Sequence, residues 1–294
     1  MNLLNKLQYK VSSRLNTYKV KQQAQNQRNV ILDHFHANRP VDAEINKAYN
    51  YLKDNPLSVF PSAFVEKYHF QDIDVHKDMD RNLFWVNHYG HRLYFKRSYT
   101  ITTIKILYNG LLAEQDPDSP HRYTDEKFDF EEGDVLLDVG SAEGIFALSN
   151  IDRLKKVCLF EREEEWVEAL EATFEPWKDK VEIISKFVAD KNDSDHISID
   201  AFLSEKSFVP DLIKIDVEGA EDQVLRGMEH AIQKHHPKIA LCTYHKQGDY
   251  DKFTNYLSER RYSTSTTNGV MFFLSPGEKL TPPFFRKGIL RAKI

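Results

Sequence analysis

From residue 134 onward the chain alternates short apolar runs with stretches of helical spacing, and no other feature restricts its fold as strongly. "DVLLDV" at 134–139, "KVCLFE" at 156–161, "VEII" at 181–184, "DLIKID" at 211–216 and "KIALCTY" at 238–244 are too short for helices and too apolar for exposed strands. Between them lie a helical stretch from about Gly144, "EEEWVEALEATFEPW" with Trp166, Leu170 and Phe174 at spacings of four, "AEDQVLRGMEHAI" and "DYDKFTNYLSER". Strands joined through helices run parallel with right-handed crossovers, so an α/β, doubly wound, mostly parallel sheet is expected. The end departs from this rule. "YSTSTTNGVMFFLS" places Asn268-Gly269 between two strand-like arms, the signature of a two-residue turn, and predicts an antiparallel C-terminal hairpin.

Residues 1–125 follow a different pattern and are read as an N-terminal helical and hairpin region, a substrate or oligomerisation element, ahead of a nucleotide-binding domain at 126–294. Lys6, Lys10, Arg14, Lys19, Lys21 and Arg28 meet no acid in the first 30 residues, while Leu4, Leu7, Val11, Leu15 and Tyr18 recur at spacings of three and four. That is a basic amphipathic helix, able to touch an anionic membrane or another subunit, or to pack on the body with its charged face in water. "VDAEINKAYNYLKDN" is a second helix that stops at Asn55-Pro56, "RNLFWVNHYGHRLYFKRS" a hairpin about Gly90, and "YTITTIKILYNGLLAEQ" a segment that begins β-branched and turns helical. "DPDSPHRYTDEKFDFEEGD" reads as a loop.

A net charge of −5 argues against a nucleic-acid partner, because phosphate binding needs a surplus of Lys and Arg on some face. No apolar run approaches the roughly 18 residues of a transmembrane segment. Cys158 and Cys242 sit inside apolar runs, as reduced, buried thiols do, which points to a reducing, cytoplasmic compartment.

In an open α/β sheet the loop after the first strand is the usual ligand site. Here it is "LDVGSAEGIF", with Gly140 and Gly144 spaced G-x-x-x-G and no third glycine. Dinucleotide folds use G-x-G-x-x-G so that a pyrophosphate can approach the helix N-terminus. Glu161 ends the next strand about twenty residues on, where a carboxylate can accept both ribose hydroxyls of NAD or of S-adenosylmethionine. It also suits the acidic first turn "EREEE" for reasons of helix dipole alone.

The third element is "LIKIDVEGAEDQVLRG". Together, "LLDVGSAEGIF", "LFE" and this segment resemble the FkbM family of class I S-adenosylmethionine-dependent methyltransferases over residues 130–265. The resemblance implies a seven-stranded Rossmann-like methyltransferase sheet and S-adenosylmethionine as cofactor. It implies that Gly140 lets the backbone pass close to the cofactor and that Asp138, Ser141, Glu143 and Gly144 line its methionine end. Glu161 would hold the ribose and Asp190, in "FVAD", the adenine amino group. Asp216 would lie beside the methyl group and position the nucleophile.

His245, leaving the fifth strand, is the candidate base, its ordinary pKa lying near neutrality. Glu218 would form a turn and Glu221 begin a helix, where an acid is favourable anyway. "CTYHK" resembles some members, and Tyr244 and Lys246 join His121 and Arg122 of "SPHRY" as candidate acceptor contacts, with Tyr123 beside them. Asp216 and His245 supply only two ligands, so no required metal is expected. The implied reaction is O-methylation of a hydroxyl on a sugar, glycan or glycolipid. An NAD-dependent oxidoreductase or epimerase, or a non-catalytic module that kept the fold, are the alternatives.

Overall fold

The computed structural model describes residues 3–275 and 277–294, with side chains from residue 19 onward. Helix α1 (Leu3–Ala37) spans the expected basic helix, but the apolar positions Leu4 to Tyr18 lie outside the described side chains. α2 (Ala43–Asp54) begins where the Asp42 carboxylate accepts the amides of Glu44 and Ile45, and it ends before Pro56. Arg28 of α1 donates to the carbonyls of Leu52, Lys53 and Asn55, so a cation closes the C-terminus of α2.

β1 (Val75–Asp78), β2 (Leu83–His88) and β3 (His91–Tyr94) form an antiparallel sheet. The β2–β3 hairpin turns at Tyr89-Gly90, both left-handed, as a primed two-residue turn requires. α3 (Ile101–Glu114) is helical from its first β-branched residue, because Thr100 caps the amide of Thr103 and overrides local strand preference.

The main domain follows as β4 (Asp134–Val139), α4 (Ile145–Asn150), β5 (Leu154–Phe160), α5 (Glu164–Phe174), β6 (Val181–Ile184), β7 (Phe187–Val188), β8 (His196–Ile197), α6 (Ile199–Ser204), β9 (Leu212–Ile215), α7 (Glu221–Arg226), α8 (Glu229–His235), β10 (Lys238–Cys242), α9 (Asp249–Ser258), β11 (Ser263–Thr266), β12 (Met271–Phe272), β13 (Phe285–Arg286) and β14 (Ile289–Lys293). The seven-stranded sheet has the order β11-β14-β10-β9-β4-β5-β6. Its five expected strands are mutually parallel and β14 is antiparallel to both neighbours. β4 pairs with β5 on one side and β9 on the other, so the chain reverses direction across the sheet at β4 and leaves a crevice beyond the strand ends there.

Two local expectations change. "AEDQVLRGMEHAI" breaks into α7 and α8 at Gly227, where a side chain would meet the carbonyl of Ala189 at 2.2 Å. The terminal strands are antiparallel, but the arms around Asn268-Gly269 do not pair with each other: β11 pairs with β14 and β12 with β13. The second arm is apolar and leaves the sheet edge to bury Val270 against Ile31, Phe35, Ala48 and Leu52, with the amide of Phe272 donating to Val59. Burial of that arm outweighs local turn preference.

One apolar cluster runs continuously from Leu93, Phe95 and Ile104 to Phe146, Trp166 and Leu170, so the N-terminal region packs onto the flank of the sheet. Cys158 and Cys242 are free and buried. Among the described residues no helix is long and apolar enough to cross a membrane.

Candidate functional site

Close packing at the ends of β4, β5 and β9 builds the crevice. Gly140 has φ +77°, and a Cβ there would stand 1.9 Å from the carbonyl oxygen of Asp216, so only glycine lets these strand ends approach. The amides of Gly140 and Ser141 both donate to Phe160 O, and Ser141 Oγ donates to Asp138 O at 2.7 Å. Ala142 is left-handed at φ +45° and donates its amide to Glu161 Oε2 at 3.0 Å, while Glu161 Oε1 accepts the Glu163 amide at 2.8 Å. Gly144 lies against Leu170 and Phe174 of α5. The cleft holds about 340 Å³, with Gly140, Ala142, Glu161, Trp166, Phe187 and Asp216 among its lining residues. Four acids, Glu161, Glu163, Asp216 and Glu218, face it against two bases, Arg162 and Lys186.

Beneath the cleft floor lies an ion pair that the sequence reading did not include. Asp138 is 1% exposed and its Oδ1 is 3.0 Å from Lys214 Nζ, which also donates to Gly140 O at 2.6 Å. The 3.0 Å contact is an ion pair without hydrogen-bond alignment, since neither Asp138 oxygen meets a well-angled donor among the described residues. Burial opposes the charge on Lys214, but Asp138 and Asp216 outweigh it and hold the ammonium charged. The signal was present: Lys214 is a charge inside "DLIKID", where a doubly covered parallel strand has no place for an unpaired one.

Asp216 gathers the other polar groups. Tyr123 OH donates to its Oδ2 at 2.8 Å and Tyr244 OH approaches Oδ1 at 3.4 Å. His121 Nε2 lies 3.7 Å from Oδ2 and 3.2 Å from the Tyr244 hydroxyl, and His245 Nε2 lies 3.6 Å from Oδ1. Burial raises the Asp216 pKa, but Lys214, the two histidines and the Tyr123 hydroxyl more than offset it, leaving the group below its ordinary value. For Glu143 burial outweighs backbone hydrogen bonds and the Lys214 charge, and the group is pushed up to about 7. His245 is 3% exposed; burial disfavours its cation, yet Glu221, Asp216 and Glu218 together raise its pKa.

The remaining expected residues lie elsewhere. Asp190 does not reach the cleft: its carboxylate pairs with Arg226 at 2.7 Å, which holds it below its usual range. Arg122 points away from Asp216 and lines a separate groove of about 740 Å³ with Lys67, Asp118 and Arg291. Lys246 donates its ammonium to the carbonyl of Gly219.

Among the described residues two groups bring ligand-type atoms within 4.8 Å of one another: His121, Asp216 and Cys242, and Asp216, Glu221 and His245. The second set therefore gathers a third potential ligand, Glu221, beyond the two expected. His245 Nδ1 and Glu221 Oε1 are 2.7 Å apart, a hydrogen bond that engages both atoms. In the first set burial raises the pKa of the Cys242 thiol well above its usual range.

Two buried histidines set a pH dependence of stability. His88, held between Tyr108 OH at 2.9 Å and Ser149 Oγ at 2.7 Å, and His121 are each pushed down to about 4, chiefly by burial. Their folded values lie below the unfolded one, so the unfolded chain binds more protons in this window. The share of stability that depends on these two neutral rings is complete above about pH 6.5 and is lost toward pH 4 by up to about 1.4 kcal/mol per pH unit for each histidine, while Glu143 and Glu114, whose folded pKa values are raised, act with the opposite sign over the same window. Urea unfolding at pH 7, 6 and 5 checks this, and a His121→Gln variant with an unchanged slope would remove that residue from the account.

Residues 159–264 match the methyltransferase FkbM domain. The FkbM match begins at the end of β5, includes Glu161, Asp216, Glu221 and His245, and closes in β11. It supports a methyltransferase. Similar solved structures include a methyltransferase FkbM from Methylobacillus flagellatus KT, at 20% identity and TM-score 0.45 over 67% of this chain and 56% of that one. Others are a precorrin-6y C5,15-methyltransferase from Geobacter metallireducens GS-15, at 12% identity and TM-score 0.39 over 56% and 83%, and an rRNA methylase from Streptococcus thermophilus, at 13% and 0.37 over 55% and 87%. The chain thus spans little over half the length of the Methylobacillus protein. No curated protein matches it in sequence.

Proposed function

We propose that this protein transfers the methyl group of S-adenosylmethionine to a hydroxyl of a sugar, glycan or glycolipid. The observation that carries the cofactor is the charge of the cleft. The acids that line it outnumber its bases four to two, while the charge of Asp138 behind the glycine turn is matched by Lys214. A cofactor with a sulfonium and an ammonium suits that field, whereas the pyrophosphate of NAD would meet carboxylates and lacks the third glycine that admits it. The residues therefore fit S-adenosylmethionine and disfavour the oxidoreductase reading.

In this reading Asp138, Ser141, Glu143 and the Gly140–Gly144 backbone hold the methionine end and Glu161 the ribose; Lys186 and Phe187, rather than Asp190, flank the adenine. The bound cofactor supplies an already activated methyl. The chain's own part is to align the nucleophile and remove its proton. Asp216 stands at the junction of the cleft and the Tyr123, Tyr244, His121 and His245 cluster, and that set of donors and acceptors suits a polyhydroxylated acceptor. Asp216 orients the reacting hydroxyl and His245 takes its proton. The buried thiols suit a cytoplasmic setting, and the basic helix α1 is a surface for a membrane or a second subunit.

Calorimetry with S-adenosylmethionine, S-adenosylhomocysteine and NAD tests the cofactor. Binding of the first two is expected; binding of NAD alone overturns the proposal, and binding of none supports a non-catalytic module. Glu161→Ala should weaken S-adenosylhomocysteine by about 10- to 100-fold, as loss of hydrogen bonds to a charged acceptor implies. An unchanged affinity would take the ribose role from Glu161.

A further inference from the structure

Glu221 is 1% exposed at the first residue of α7. An acid favoured there by the helix dipole alone would have no reason to be buried. Its Oε1 accepts the amides of Val217 and Gly219, each at 3.2 Å, and the His245 Nδ1 contact at 2.7 Å. The two amides fix the carboxylate against the turn that leaves Asp216, a turn held by left-handed Glu218 and Gly219. An ionised carboxylate can only accept, so Nδ1 carries a proton, and the neutral ring then has its lone pair on Nε2. That atom is buried and has no hydrogen-bond partner among the described residues. It faces Asp216 Oδ1 at 3.6 Å and Glu218 Oε2 at 3.8 Å.

We propose that Glu221 is a positioning residue, which fixes the Nδ1–H tautomer of His245 and thereby presents Nε2 as proton acceptor to a nucleophile docked at Asp216. The proposal rests on the methyl-transfer reading. The proton moves from the acceptor hydroxyl to Nε2 as the new oxygen–methyl bond forms and the sulfur–methyl bond breaks, leaving an imidazolium paired with Glu221. In Ser-His-Asp triads the same carboxylate–imidazole couple is sensitive to tautomer, and exchanging the acid for its amide lowers kcat by about 10⁴.

Other charged groups around the ring are Asp216 from the end of β9, exposed Glu218 from the turn, His121 across Asp216 and Arg286 of β13, which donates to the His245 carbonyl at 2.9 Å. Lys246 follows in the chain and is bonded to Gly219. Among the described residues only Glu221 hydrogen-bonds Nδ1, so its removal has a signature distinct from that of a general change in field.

The test is imidazole ¹⁵N NMR of the labelled full chain, titrated from pH 5 to 9, for wild type, E221Q and E221D. Wild type should show His245 protonated at Nδ1 with Nε2 unprotonated once the ring is neutral. In E221Q the titration midpoint should fall by about one unit or more and the tautomer preference should weaken, with E221D restoring both in part. Affinity for S-adenosylhomocysteine should stay within about twofold of wild type in both variants. A wild-type ring protonated at Nε2, or E221Q with unchanged midpoint and tautomer, overturns the proposal, and so does Mn²⁺ at micromolar concentration broadening the His245 signals, which would make Nε2 a metal ligand. Wild type that binds no S-adenosylhomocysteine would overturn the methyl-transfer reading instead, whatever the tautomer.

Discussion

Gly140→Ala should cost at least about 3 kcal/mol of folding free energy and abolish measurable binding of S-adenosylhomocysteine. Two effects add. The residue sits at φ +77°, where an L side chain costs about 1–2 kcal/mol. The new Cβ would also stand 1.9 Å from Asp216 O, a backbone atom on a strand end locked by the Asp216 amide's bond to Val139 O. A flexible side chain could swing away, but this carbonyl cannot move without opening the β4–β9 ladder, which carries Asp138 and Asp216 on its two sides. Gly133→Ala is the control. Its φ is +88° but nothing lies within 4 Å of the added carbon, so about 1 kcal/mol and unchanged binding are expected. If Gly140→Ala unfolds in urea within 1 kcal/mol of wild type, the close approach of β4 to β9 is not as described.

The second large effect belongs to Lys214. Lys214→Met keeps most of the apolar length of the side chain and removes its charge, leaving Asp138 buried beneath the glycine turn without its partner cation. Breaking such a pair from one side costs about 3–5 kcal/mol, because the remaining charge is uncompensated rather than because the pair itself contributes that much. The double variant Asp138→Asn with Lys214→Met should therefore be more stable than Lys214→Met alone, a non-additivity that a denaturant cycle measures directly. The deficit of the single variant should also shrink as the pH is lowered and Asp138 takes up a proton. Simple additivity of the two substitutions would show that the 3.0 Å contact carries no coupling. Lys214→Met should weaken cofactor binding as well, since the ammonium is bonded to the Gly140 carbonyl on the loop itself.

The residues legible in the sequence share one property: Asp138, Gly140, Glu161 and Asp216 all sit at or just beyond the ends of apolar runs. Periodicity locates those ends, and strand ends of a parallel sheet converge at the point where strand order reverses. Asp190 lies in a loop after the third run, where no periodicity fixes its direction and Arg226 of α7 claims it. His121, Arg122 and Tyr123 illustrate a finer limit. The histidine and the tyrosine turn inward to Asp216 while the arginine between them lines another groove, because Pro120 and His121 form a turn closed by the Arg122 amide on the Ser119 carbonyl. Glu221 escaped because a carboxylate opening a helix has an adequate local explanation, and only the fold brings His245 onto it. The Asn268-Gly269 turn shows the converse, a strong local signal whose apolar arm found a better burial elsewhere.

The place of β14 in the sheet has a consequence for how the protein is made. This strand follows the other six in the chain, yet it lies between β10 and β11 rather than at an edge. Arg291 on it donates to the carbonyls of Arg122 and Tyr123, and the Ile289 amide donates to Pro120, so it also pins the segment that carries two of the groups around Asp216. A chain emerging from the ribosome can assemble β4, β5, β6, β9 and β10, and with them the glycine turn and Glu161, while β14 is still inside the tunnel. The nascent protein would then form the cleft at the glycine turn before the polar cluster around Asp216, and that second half of the proposed site would come into register only when β14 zips in between its neighbours.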